Sequence, residues 1–87
     1  MHELTLLADI MRKIEGVADD EQATQVTAVH LQLGALAHIS PDHLREHFEQ
    51  AAIGTRAQGA RLEIEEIPDI EDEHAQDILL TAVEVSG

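Results

Sequence analysis

Over residues 4–18 the apolar positions recur at spacings of three and four. Leu4, Leu7, Met11, Ile14 and Ala18 fall on one helical face, and Leu6 and Ile10 widen that stripe. Asp9, Arg12, Lys13 and Glu15 take the remaining surface, with Glu3 near the start, where the helix dipole favours negative charge. Asp19, Asp20 and Glu21 are expected in the exit loop. The period then drops to two. Across 25–33, Thr27, Val29, Leu31 and Leu33 point one way and Ala28, His30 and Gln32 the other, the pattern of a half-buried strand ended by Gly34. Ser40-Pro41-Asp42 combines a capping hydroxyl, a proline suited to the first helical position and a carboxylate that complements the dipole. A second helix follows, with Leu44, Phe48, Ala51 and Ala52 as its buried stripe and Gly54 as its stop. Residues 60–67 alternate again: Leu62 and Ile64 on one side, Arg61, Glu63 and Glu65 on the other. Ile67 breaks that alternation, as a bulge or a strand end, and Pro68 closes it. Residues 78–85 form a third strand with apolar side chains on both faces, as expected of a central strand or of one that covers an interface.

These elements predict an α+β fold, two helices packed on one face of a three-stranded mixed sheet, in the chain order α-β-α-β-β. The first two strands, joined through a helix, are expected to run parallel. The last two are expected to form an antiparallel hairpin, closed by the acidic stretch 69–77. The 87 residues make one domain, and with Phe48 as the only aromatic its core has to be aliphatic.

Charge narrows the partners. Five Lys and Arg stand against eighteen Asp and Glu, a formal net charge of -13. Such a surface repels phosphate, which argues against nucleic acid and anionic membrane. It suits a basic protein surface or a cation, and equally serves solubility alone. The chain has no cysteine, so disulfides, thiolate zinc sites and a cysteine nucleophile are excluded. No apolar run is long enough to span a bilayer and no secretion-type leader opens the sequence, so a soluble, cytoplasmic location is expected.

Chemistry concentrates at Met1-His2-Glu3. A free amine at Met1, the His2 amide and the His2 imidazole lie within chelating reach of one another, closing a five-membered and then a six-membered ring. A planar set of nitrogens suits Ni(II) or Cu(II) better than tetrahedral zinc. Three residues alone are also what any solvated chain start with a histidine provides. His43-Leu44-Arg45-Glu46-His47 matches the H-x-x-E-H pattern of inverted zinc proteases. A protease needs a third ligand and a cleft, and the plainer reading is a solvated helix face that binds metal adventitiously. His30 reads as an exposed residue on the open side of its strand. The stretch 69–77 lacks the alternation of a calcium loop and reads as a solvated turn.

Met1-His2-Glu3-Leu4-Thr5-Leu6, Val29-His30-Leu31-Gln32-Leu33-Gly34-Ala35-Leu36, Ser40-Pro41 through Phe48-Glu49, Gly54-Thr55 and Ala60 to Pro68 together resemble the HypA/HybF family. These accessory proteins deliver nickel to [NiFe]-hydrogenase precursors and, in some bacteria, to urease. The resemblance runs from residue 1 to about 68 and resumes over 78–85. It implies a non-enzymatic nickel metallochaperone with Ni(II) as cargo. The implied ligands are the amine of Met1, the amide and imidazole of His2 and the amide of Glu3, with the Glu3 carboxylate as a supporting or alternative group. The implied partners are a HypB-type GTPase and a hydrogenase large-subunit precursor, with a homo-oligomer left open. Family members insert a zinc module with two Cys-x-x-Cys pairs between the last two strands. Here Asp69-Ile70-Glu71-Asp72-Glu73-His74-Ala75-Gln76-Asp77 stands in its place, so this resembles a short form in which no structural zinc is expected. Where relatives draw a further histidine ligand from that module, His38 or His74 is the substitute to test. The alternative is a metal-independent protein-interaction module of the same descent.

Overall fold

A computed structural model describes residues 3–87. It contains two helices and three strands: α1 (Glu3–Asp20), β1 (Gln25–Gly34), α2 (Pro41–Ala52), β2 (Arg61–Ile67) and β3 (Ile78–Ser86). The expected α+β layout is therefore present, with both helices against one face of a mixed sheet. β1 lies at the centre, in the order β2-β1-β3, parallel to β2 and antiparallel to β3.

The strand order corrects two expectations. β2 and β3 run in opposite senses but do not pair as a hairpin, because β1 lies between them. β3 is accordingly an edge strand, not a central one. The physical reason lies at Gly34. A Cβ there would sit 2.3 Å from the carbonyl oxygen of Ala75 and 2.6 Å from that of His74. Only a residue without a side chain lets the 68–77 segment pass so close to the end of β1 and deliver β3 to its far side. The passage is held by backbone bonds, Gly34 N–H to Asp77 O at 3.0 Å and Leu36 N–H to Ala75 O at 2.7 Å. Ala75 is buried beneath it. The stretch is thus a tethered crossover, not only a solvated turn.

α1 buries Leu7, Ile10, Met11, Ile14 and Ala18, the predicted stripe, with Leu6 partly covered; the side chain of Leu4 lies outside the described part of the chain. The helix runs through Asp19 and Asp20, which were expected in the exit loop. In α2 the Ser40 hydroxyl accepts the His43 backbone N–H at 3.1 Å and Pro41 opens the helix, as predicted. Leu44, Phe48 and Ala52 are buried, but Ala51 is exposed, one residue off the core-facing stripe. Ile67 is the last residue of β2, with no register shift against β1, so it marks a strand end. In β1 a register shift between Val26 and Ala28 exposes Thr27, which was expected inside, and buries Val26 with Val29, Leu31 and Leu33. A second shift in β3 leaves Thr81 as the extra residue, its hydroxyl donating to His30 O at 3.1 Å.

Candidate metal-binding end

The short connections decide which residues share an end of the molecule. α1 returns to β1 through four residues, so its start lies beside the end of β1. Leu6, Asp9, Ile10 and Lys13 of α1 accordingly line one hollow with Asp77, Ile78, Leu79 and Leu80, the beginning of β3. Ile78 in turn pairs with Leu33, next to last in β1. α2 starts six residues beyond β1 and leads back to a β2 that runs parallel to it, so it too begins at this end. Three features therefore gather there: the start of α1, the 35–40 turn and the 68–77 crossover.

Met1 and His2, the principal ligands expected from the sequence, lie outside the described residues, and Glu3 opens α1. His38 sits in the 35–40 turn, exposed, with a left-handed backbone at φ 60°. It lines a shallow hollow with Gly34, Ile67 and Pro68. His74 lines a neighbouring hollow that shares Gly34 and Ile67 and adds Gln32, Asp72 and Asp77. The two candidate extra histidines thus flank the same strand ends. Among the described residues, no three His, Asp or Glu side chains converge into a group able to hold a metal ion.

Local turn chemistry fixes His74. Asp69 Oδ1 accepts the Glu71 N–H and Asp72 Oδ1 accepts the His74 N–H, each at 2.8 Å, side-chain bonds that bend the backbone of this segment. The His74 ring then meets Asp77 through Nδ1 at 3.0 Å, with Glu73 3.4 Å from Nε2. The Asp77 hydrogen bond, helped by the charges of Glu73, Asp77 and Asp72 against some desolvation, holds the His74 pKa above that of a free imidazole. Asp77 escaped the sequence reading, although its spacing three residues after His74 was the available signal.

The open face of the sheet carries a separate polar layer. His30 Nε2 meets Glu84 Oε2 at 2.7 Å, Arg61 reaches Glu84 at 3.5 Å and Glu63 at 2.9 Å, and Gln32 donates to Glu65 at 3.0 Å. The His30 bond lowers the Glu84 pKa, with Arg61 assisting against some desolvation. His30 lies on the open face as expected, but half-buried and bonded to Glu84 rather than exposed. His43 and His47 stand side by side on α2, rings edge-on with centroids 4.9 Å apart.

The opposite end is closed by Arg56, which the sequence did not flag. Its Nε donates to Glu15 Oε2 at 2.8 Å and its Nη1 to Ala23 O at 3.1 Å, and its Nη2 also bonds Asp19. Asp19 and Glu15 together raise the Arg56 pKa further, against some desolvation. Among the described residues, no helix is long and apolar enough to cross a membrane.

A family model described as "Hydrogenase/urease nickel incorporation, metallochaperone, hypA" matches residues 1–71. Hydrogenase maturation factor HypA of Roseiflexus sp. (strain RS-1) is 44% identical over 68 residues, covering 78% of this chain and 55% of that protein. The protein of the same description from Rhodopseudomonas palustris (strain TIE-1) is 43% identical over 68 residues, covering 78% and 60%. The chain therefore spans somewhat over half the length of these curated relatives. Among solved structures, the solution structure of the Ni metallochaperone HypA from Helicobacter pylori superposes with a TM-score of 0.78 at 16% identity. That superposition covers 99% of this chain and 98% of the other, and at such identity the likeness is one of fold.

Proposed function

This chain belongs to the HypA family, and we propose that it is a nickel carrier that binds Ni(II) at its N-terminus and hands it on during maturation of [NiFe]-hydrogenase or urease. The family is one of metallochaperones, not enzymes. The observation that carries the reading is that the family match begins at residue 1, so Met1-His2-Glu3 lies inside it.

The donor chemistry supports it. The Met1 amine, the His2 amide and imidazole and the Glu3 amide offer nitrogens in linked chelate rings, a planar set that suits a d⁸ ion. The Glu3 carboxylate is a supporting or alternative donor. A site at the tip of a chain rearranges at little cost when a partner docks, which favours transfer over storage. His38 and His74 flank the end of the sheet where α1 starts, which supports either as a supplementary ligand. The acidic 69–77 crossover stands where relatives carry a zinc module, and a chain without cysteine offers no thiolate zinc site there. The partners proposed are a HypB-type GTPase and a hydrogenase large-subunit precursor.

The test is a Ni(II) titration of protein with a free Met1 amine, beside His2→Ala and an N-terminally extended form. Tight binding is expected only in the first, weakening at acid pH as protons compete for amine and imidazole. Equal binding by all three would overturn the assignment. A metal-independent docking role is the alternative, favoured by one observation: among the described residues β3 pairs only with β1, leaving its outer edge available for strand addition. Partner capture that survives both His2→Ala and chelator would select that alternative.

A further inference from the structure

We propose that His43 and His47 form a second metal site, a two-imidazole clamp for a borderline divalent ion such as Ni(II), on the first turns of α2. The sequence creates the pair and the core orients it. Each histidine immediately precedes a buried hydrophobe, His43 before Leu44 and His47 before Phe48. The four-residue spacing that seats Leu44 and Phe48 in the core therefore sets the two imidazoles side by side along the rim of the same helix. The Ser40 cap, bonded to the His43 N–H, holds the first of those turns in register.

The spacing of the rings fits one shared ion. With metal–nitrogen bonds of about 2.0–2.1 Å and bond angles of roughly 90–110°, two ligating imidazoles have ring centroids about 4.5–5.2 Å apart. The observed 4.9 Å falls within that interval before any metal is bound. The rings now meet edge to face at 65°, so both must turn about their side-chain bonds to aim one nitrogen each at a shared point. Imidazole pairs suit Ni(II), Cu(II), Co(II) and Zn(II) alike, and not hard cations. His43 is exposed and His47 half-buried, which leaves one side of the clamp open to solvent. Among the described residues, no third His, Asp or Glu forms a metal-holding group with them.

Two electrostatic effects act on a bound cation. The positive end of α2 opposes it. Asp42 beside the pair, Glu46 between its members and the chain's net charge of -13 favour it. Because α1 and α2 start at the same end of the fold, the clamp would hold an ion at the end where α1 begins. On the carrier reading proposed above, that location suits a staging point for cargo.

The experiment uses the full chain with an N-terminal extension and His2→Ala, so that the terminal nitrogens are silent, and Ni(II) alone as the probe. Dye competition reads affinity, and the imidazole NMR resonances read location. One residual equivalent is expected, perturbing His43 and His47 ahead of His30, His38 and His74. Exposed His43→Gln should weaken it by about tenfold or more, since losing a ligand costs at least what losing a ligand's orienting partner does. Absence of residual binding, an unchanged affinity in His43→Gln, or broadening spread evenly over all histidines would overturn the proposal. None of these outcomes bears on binding by the free Met1 amine, which is measured in the unmodified chain.

Discussion

The two ends of the sheet are closed by opposite means. Where β1 begins, a charged side chain does the joining: Arg56, between α2 and β2, reaches Glu15 and Asp19 on α1 and the Ala23 carbonyl, while its own carbonyl accepts the Val26 N–H at 2.9 Å. Where β1 ends, the described contacts that tie the segment to the strand are main-chain hydrogen bonds. The 68–77 segment lies on Gly34 through two backbone bonds, and the nearby side chains are left at the surface. Side-chain hydrogen bonds at the first end spend polar groups on holding the fold. Backbone closure at the second leaves His38, and His74 apart from its acidic partners, available at the end where α1 starts. In this small domain one end is thus tied by side-chain bonds and the other by backbone.

Breaking the charged end should have the largest effect. Arg56→Met removes in one step the link among α1, the 53–60 connection and the start of β1. The urea midpoint should fall more than for any substitution below, with the slope unchanged and amide exchange accelerated first at Val26. A midpoint within error of the parent would mean that the first end, too, is held by backbone and packing.

Gly34→Ala sharpens the other half of the contrast. Its Cβ would meet backbone, not a yielding side chain, at 2.3 Å. Overpacking of this kind costs about 1–3 kcal/mol, and exchange should rise at Leu36 while Val26 stays protected. Uniform loss of protection across the sheet would show that the two ends are not independent. Ser40→Ala, which strips the α2 cap, should cost about 1 kcal/mol by chemical denaturation. Its effect should be confined to the first turn of α2, and spread to β2 would count against that independence.

The smallest effect is a titration. The His74 pKa lies above the 6.5 of a free imidazole because Asp77 accepts its hydrogen bond. A raised folded-state value means the contact contributes stability below pH 6.5 and loses it as the pH climbs through the folded-state pKa. In metal-free protein the His74 ring proton should titrate with a midpoint above 6.5, returning towards that value in Asp77→Asn. A midpoint at or below 6.5 in the parent would mean that the crossover is not supported by this pair.

Much of this architecture was legible in the chain itself. The three-and-four spacing of Leu7, Ile10, Met11, Ile14 and Ala18, the alternation ending at Gly34 and the Ser40-Pro41 start each reflect a local rule, and local rules act wherever the residues occur. The side-by-side placement of His43 and His47 was visible too, because helical spacing is a property of neighbours in sequence, as are the chelate rings proposed for Met1-His2-Glu3. The position of β3 was not. An ordinary hairpin and a passage over the end of β1 both satisfy the same hydrophobic pattern, and what decides between them is a clearance between Gly34 and a carbonyl forty-one residues away. Thr27 moved to the outside for the same kind of reason, since a bulge answers to the partner strand and not to the strand's own periodicity. Arg56 became a clamp only once folding brought it to Glu15, Asp19 and Ala23. Sequence alone determined which segments are helix and strand and which donor atoms are worth testing with a metal. Tertiary structure decided which ends meet, because steric exclusion and hydrogen bonding between distant residues have no signature until the chain has closed on itself.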